Sequence, residues 1–218
     1  LSKEHTHYVA NVMRLKRGSN INFFNKEGEW NSEIIFLEKD RVEVKFLKNI
    51  RQASVLSKIE LASCLVKKTP METILQKATE LGVNKITPIV SERTEVKEIN
   101  HERAKRIIIE ATEQSNQLSP PEICETIKLK DFLRNLDVST KILFADVNSN
   151  ESLKAEDLKE CRSLCILIGP EGDFSPSERE AILGNLAVKP FTISRNILRS
   201  DTAVISAISL VNFINNFH

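Results

Sequence analysis

Two short segments late in the chain carry the residue types best suited to hold a small ligand: Gly169-Pro170-Glu171-Gly172-Asp173-Phe174, and the stretch from Ser194 to Asp201. The first follows a continuous apolar run from Ser163 to Ile168, the pattern of a strand covered on both faces. The second follows Pro190 to Ser194, which reads as another strand. In an open α/β sheet, ligands occupy the crevice beyond the carboxyl ends of the strands, so these two turns form the default site. Only six glycines occur, and neither the dinucleotide-binding G-x-G-x-x-G nor the phosphate-binding G-x-x-x-x-G-K-[ST] can be built from them. A G-x-S-x-G nucleophile elbow is absent as well. The turns are too poor in backbone donors and lysine to hold several phosphates; a nucleoside bearing one positive sulfonium suits them better. On spacing alone the glycine turn reads equally well as a plain tight turn.

Metal chemistry finds no support. His5, His7, His101 and His218 form no H-E-x-x-H, and Cys64, Cys124, Cys161 and Cys165 form no C-x-x-C. No metal is expected, and the cysteines read as reduced thiols in or beside apolar stretches of a cytosolic protein.

The elements that must position the turns follow from periodicity. From Asn20 to Ile50 three strands alternate apolar and polar residues, with turns at Lys26-Glu27-Gly28 and Lys39-Asp40; Val42, Val44 and Phe46 share one face. This predicts a small β-barrel or sandwich, with a short helix from His5 to Leu15 packed on it through Tyr8, Val12 and Leu15. After a linker from Arg51 to Lys58 the grammar changes to alternating strand and helix. Ile59 to Val66 predicts a strand, and Thr69-Pro70-Met71-Glu72 a capped helix start with Pro70 in the first turn. That helix turns Ile74, Leu75, Ala78 and Leu81 inward and stops at Gly82. A strand at Lys85 to Val90, a helix at Glu102 to Ser115 capped by Asn100, a short helix near Asp131 to Leu136 and a strand at Lys141 to Ala145 follow. Ser175-Pro176-Ser177-Glu178 predicts a capping box opening a helix through Leu186. The closing helix, Asp201 to Phe217, carries Ala203, Val204, Ala207, Ile208, Leu210, Val211 and Ile214 over more than one face, which predicts burial against both a core and a partner subunit. The expected architecture is a mostly parallel α/β domain over residues 56–218, preceded by a small β domain over residues 1–55.

With 41% hydrophobic and 28% charged residues, and no apolar run near the ~20 residues of a membrane span, the composition is that of an ordinary globular protein. The formal net charge of +1 means that any nucleic-acid affinity must come from local clusters. Arg14, Lys16 and Arg17 form one, Lys67 and Lys68 a second, and Arg103, Lys105 and Arg106 a third. Any one of them taken alone reads sooner as a solvated face than as a contact surface. The chain opens on Leu1 rather than Met, so its natural N-terminus is expected upstream.

Several separated blocks together resemble the ribosomal RNA small subunit methyltransferase E family of the SPOUT superfamily. They are Lys77-Ala78-Thr79-Glu80-Leu81-Gly82-Val83 with Ser91-Glu92-Arg93-Thr94, Glu110-Ala111 with Glu113-Gln114-Ser115, Leu167 to Gly172 with Phe174-Ser175, and Ile197-Leu198-Arg199 with Thr202-Ala203. His7-Tyr8-Val9 through Leu15, with Gly18, is similar to the start of that family's PUA-like RNA-binding domain. The resemblance covers nearly the whole chain. It implies a trefoil-knotted C-terminal domain, a PUA-like β-barrel before it, a homodimer formed through the C-terminal domain, and a cytoplasmic enzyme. It also implies methylation of N3 of one uridine in 16S ribosomal RNA, with S-adenosylmethionine as donor and S-adenosylhomocysteine as product.

By the same resemblance the adenosine lies among main-chain groups of Ile168, Gly169, Gly172, Ile193, Ile197 and Leu198, near Phe144, Ala145 and Thr202. Arg199 and Arg93 are expected to fix the uridine and favour its N3 anion, with Glu171 a candidate proton acceptor. Arg14, Arg17, Lys67 and Lys68 are expected phosphate contacts. The sequence departs from the family pattern at Asp173 and Ser194, where glycine is usual, at Asn196, and at Ser200-Asp201. Those departures leave open a noncatalytic RNA-binding adaptor, and a knotted methyltransferase acting on transfer RNA is a second alternative that the sequence does not exclude.

Overall fold

The computed structural model describes residues 1–52, 58–137, 139–158 and 163–217. The chain divides into two compact units, Leu1–Val55 and Leu56–His218. Most of the expected linker, and Cys161, lie outside the described residues.

In the first unit a short helix, α1 (Lys3–His7), runs into a π-turn at Tyr8–Val12. The wider turn shifts the phase of the expected helix, so Val9 is buried while Tyr8 and Val12 stay exposed. Leu15 does reach the small core of Val9, Ile34 and Val42. Three antiparallel strands follow, β1 (Asn20–Asn25), β2 (Gly28–Glu38) and β3 (Arg41–Gln52), in the order β1-β2-β3. Among the described residues these strands form one sheet with β1 and β3 as its edges, where the sequence reading expected a small β-barrel or sandwich. Three strands are too few to close. Irregularities in the β2–β3 register, near Trp30, Ser32 and Phe36, also break the alternation. Phe46 is therefore exposed, in edge contact with Phe23 at 5.9 Å between centroids.

The second unit is a seven-stranded sheet, β10-β8-β9-β4-β5-β6 with β7 also pairing β5, in which every pairing is parallel. Its strands are β4 (Lys58–Cys64), β5 (Lys85–Val90), β6 (Glu122–Ile123), β7 (Ile127–Lys128), β8 (Thr140–Ala145), β9 (Ser163–Ile168) and β10 (Val188–Phe191). Helices are α2 (Lys68–Glu80), α3 (His101–Gln114), α4 (Leu129–Arg134), α5 (Pro176–Leu183) and α6 (Ser200–Phe217). The apolar run of β9 is explained by burial on both faces. Leu164, Ile166 and Ile168 join α2, α3 and α6 in one core cluster, while Cys165 and Leu167 join Leu129 of α4 and Ile182 of α5 in another.

Two local readings change. The α2 N-cap is Lys67, with no side-chain cap, and Thr69 and Pro70 lie inside the first turn. Pro70 is tolerated there because its missing N–H would have had no helical partner. Glu72 turns instead to Arg103 of α3, which donates to both carboxylate oxygens at 3.1 Å and holds that carboxyl below its ordinary range. In α6 the buried residues Val204, Ala207, Ile208, Val211 and Ile214 form one stripe on the core, with Ala203 and Leu210 partly buried beside it. The two-residue strands β6 and β7 had no counterpart in the sequence reading, because two residues carry no period.

Candidate active site

The loops after β8, β9 and β10 meet at the carboxyl end of the sheet. The Asp146 N–H donates to the Phe191 carbonyl at 3.0 Å, which joins the ends of β8 and β10. The Ser200 hydroxyl donates to the Gly169 carbonyl at 3.4 Å, which joins the two turns singled out in the sequence. At the ends of β8 and β10 lies a small hollow of about 40 Å³, lined by Ala145, Asp146, Val147, Thr192, Ile193, Ser194, Asn196, Leu198 and Ala203, with Gly169 and Gly172 outside its lining.

The turn after β9 owes its shape to three neighbours. Asp173 N–H closes it by donating to Pro170 O at 3.0 Å. Asp173 has φ +58, a left-handed conformation that suits the glycine usual in the family and that Asp tolerates better than most residues. Its own carboxylate accepts the next N–H, from Phe174, at 2.7 Å. Phe174 is buried edge-on against Phe144, 5.7 Å between centroids. A Cβ on Gly169 would fall 3.0 Å from the Phe174 ring, a tight contact that the buried ring would have to relieve by a few tenths of an ångström. The capping box predicted for α5 is present: Ser175 Oγ accepts from Glu178 N at 3.2 Å, and Ser175 N donates to Glu178 Oε2 at 3.1 Å.

The predicted residues divide by place. Ala145, Ile193 and Leu198 line the hollow, while the Phe144 and Ile168 side chains are buried in the core, leaving those two only main-chain groups to offer. Ile197 is 88% exposed on the outer lip of the hollow. Thr202 is exposed and its N–H donates to its neighbour Asp201 at 2.8 Å. Arg93 is brought to the glycine turn, its Nη1 donating to Gly172 O at 2.9 Å. Arg199 and Glu171 are exposed. Lys67 lies 3.9 Å from Glu95, both largely exposed, and Lys68, Arg14 and Arg17 are exposed.

Sequence reasoning missed several residues that build the site. Glu178 accepts the Glu92 N–H at 2.8 Å, tying the loop after β5 to the start of α5. In that loop Ser91 N–H donates to Thr94 Oγ1 at 3.0 Å, beside Cys64, whose thiol burial pushes up to about 12. Asp146, its side chain 2% exposed, accepts Asn148 N–H at 2.9 Å and is paired with Arg179 of α5. Asp146 and Arg179 stand 33 residues apart and belong to no spacing motif. The only available signal was a carboxylate placed directly after an apolar strand.

No group of three or more histidine, cysteine, aspartate or glutamate side chains able to hold a metal occurs among the described residues. Nor is any described helix long and apolar enough to cross a membrane. Residues 52–212 match the family model described as an RNA methyltransferase domain, and residues 1–47 that described as an RNA methyltransferase PUA domain. The chain is 31% identical over 219 residues to the ribosomal RNA small subunit methyltransferase E of Rickettsia conorii, covering 99% of this chain and 89% of that protein. With the protein of the same name from Buchnera aphidicola subsp. Schizaphis graminum the identity is 32% over 222 residues, covering 96% and 87%. The crystal structure of a ribosomal RNA small subunit methyltransferase E from Neisseria gonorrhoeae bound to S-adenosyl methionine has a TM-score of 0.86 at 25% identity, covering 100% of this chain and 92% of that one. A parallel α/β domain with a hollow at the carboxyl ends of β8 and β10, matched over its length by these relatives, belongs to the ribosomal RNA small subunit methyltransferase E family of RNA methyltransferases.

Proposed function

We propose that this chain transfers a methyl group from S-adenosylmethionine to N3 of a uridine in 16S ribosomal RNA, acting in the cytoplasm as a homodimer joined through its C-terminal unit. The observation that carries the reading is the hollow at the ends of β8 and β10, lined by apolar Ala145, Val147, Ile193, Leu198 and Ala203 beside Asp146, Thr192, Ser194 and Asn196, with the glycine turn tied alongside through Ser200 and Gly169. Such walls suit an adenosine, which is gripped by main-chain hydrogen bonds and apolar contact. The hollow is smaller than that ligand, so binding would require the exposed segment from Arg195 to Ile197 to move outward. Ile197, exposed as it stands, becomes the apolar cover of the bound nucleoside. In this reading the groups facing the adenosine are those of Ala145, Ile168, Gly169, Gly172, Ile193, Ile197, Leu198 and Thr202, with Phe144 beneath. A trefoil knot is part of the same proposal. Its support is that β10 lies beyond β8 at the sheet edge, whereas α6 returns to pack on β9 and α2.

When bound, S-adenosylmethionine supplies an electrophilic methyl group on a sulfonium. The protein then has to align the acceptor and to favour loss of the N3 proton. Arg93 is anchored to Gly172 O through Nη1, and Arg199 is exposed directly before α6. Both are assigned to hold the uridine and stabilise its anion, with Glu171 in the intervening turn as the proton acceptor. Lys67, Lys68, Arg14 and Arg17 are assigned to RNA phosphates. Mass mapping of methyl groups on small-subunit RNA from cells with and without the protein tests the reading; one methylated uridine must disappear with the protein. In the purified enzyme, Arg199→Ala is expected to lower kcat about 100-fold while changing cofactor affinity less than about threefold. Equal losses in both would remove Arg199 from the chemistry.

A further inference from the structure

Beside the cofactor hollow lies a second recess, bordered by Arg93, Asp173, Phe174, Arg179 and Leu183. Asp146 lines the hollow and Arg179 lines the recess, and the two side chains are joined as an ion pair. Their pair therefore ties the lining of one cavity to that of the other, and we read it as the partition between them. Asp146 is tied on every side: its N–H to β10 through Phe191 O, one carboxylate oxygen to Asn148 N–H, the other to Arg179 on α5. Asn148, in turn, reaches across to the Asp173 carboxylate at 3.5 Å, in the glycine turn that also holds Arg93.

As a stabilising device this arrangement is poor. A buried carboxylate and its cation recover little beyond the cost of leaving water, and apolar side chains would fill the same space at least as well. Arg179 Nε is moreover buried without a hydrogen-bond partner, so the guanidinium does not satisfy itself against Asp146. What the pair supplies is direction: it sets the position of the loop after β8 against α5, and with it the wall shared by the two cavities.

We propose that Asp146 and Arg179 are positioning residues that act as one unit, fixing the partition between the cofactor hollow and the arginine-bordered recess so that the methyl donor and the RNA base meet in line. The proposal rests on the reading of the site as an RNA methyltransferase centre. Misplacement of reacting groups by an ångström costs turnover far more than binding, which sets the expected signature.

The test uses the full chain, small-subunit RNA and radiolabelled S-adenosylmethionine, with Asp146→Asn, Arg179→Met, Arg179→Lys and the Asp146→Asn/Arg179→Met double variant. Single-turnover rates are expected to fall about 30- to 100-fold, with cofactor affinity by calorimetry and RNA affinity by filter binding each within about threefold of the wild type. The double variant is expected to be no slower than the worse single variant, because the pair acts as a unit. Wild-type rates in Arg179→Met, losses in rate matched by losses in cofactor affinity, or additive losses in the double variant each overturn the proposal. Should Arg179→Met fail to fold by circular dichroism, Arg179→Lys decides. It keeps the charge paired but loses the planar fork, and is expected to be about tenfold slow with unchanged affinities. A wild-type chain that methylates no RNA overturns the underlying reading as well, an outcome distinct from an active wild type with unaffected variants.

Discussion

Gly169 and Gly172 occupy one turn and stand in different surroundings. An added methyl at Gly169 meets a Phe174 ring that is itself locked against Phe144, and a buried ring cannot swing away. Gly169→Ala is therefore expected to cost about 1–3 kcal/mol of stability, read from urea unfolding, and to weaken cofactor binding. At Gly172 the same methyl meets only Arg93 side-chain carbons at 3.9 Å, so Gly172→Ala is expected to unfold within about 0.5 kcal/mol of the wild type. The cysteines give a pH prediction. Burial raises the Cys64 thiol from 9.0 to about 12, and raises Cys165 further still. A thiol whose folded value lies above its unfolded one contributes stability that is complete below the unfolded value. As pH rises from about 9 toward about 12 the unfolded chain ionises first, and that contribution is lost. Stability is expected to decline across this window, and a Cys64→Ser/Cys165→Ser variant to show a flatter decline in urea titrations at pH 8 and pH 10. With maleimide at pH 7.5, Cys124, partly exposed, should label before Cys64 or Cys165.

At the scale of elements, α5 shows how one helix start can serve two purposes. Ser175 and Glu178 satisfy each other's backbone donors, and Glu178 uses its second oxygen for Glu92 N–H in the loop that carries Arg93. Ser175→Ala should cost about 1 kcal/mol in equilibrium unfolding with little change in turnover. Glu178→Ala removes the cap and the loop tether together, so its rate of methyl transfer should fall as well. The opposite case is α2, whose N-cap Lys67 offers no side-chain acceptor. Lys67→Asp is expected to add about 1 kcal/mol of stability, because it supplies both a cap and a favourable charge at the helix N-terminus. The same change should weaken RNA binding if Lys67 faces phosphate.

For the whole molecule, a formal charge of +1 leaves no general attraction to nucleic acid, so affinity must depend on where the cations stand. Arg103 is committed to Glu72, while Lys67, Lys68, Arg14 and Arg17, the cations assigned above to phosphate, are exposed. RNA affinity should fall as salt rises, and neutralising Lys67 and Lys68 together should reduce the slope of log K against log salt by about 1–2. An unchanged slope would place the phosphates elsewhere. The joining of β4, β5, β8, β9 and β10 into one parallel sheet is what gathers loops from distant parts of the chain at a single edge.

Local grammar was enough to read most elements in this sequence. The doubly covered β9, the capping box of α5, the Asn100 cap of α3 and the stop at Gly82 each depend on residues within a few positions, and each could be read without coordinates. The two glycine and arginine turns could be named for the same reason. What only the tertiary structure decided involves residues far apart in sequence. The open three-stranded sheet depended on irregular pairing, and the buried phase of the N-terminal helix on a π-turn, neither of which a period reveals. The Asp146–Arg179 partition and the Glu178 tether arise from side chains on separate elements. Periodicity reports which face of an element is buried, because that is a property of neighbouring residues. Which charges meet across that burial is set by packing, and no spacing along the chain encodes it.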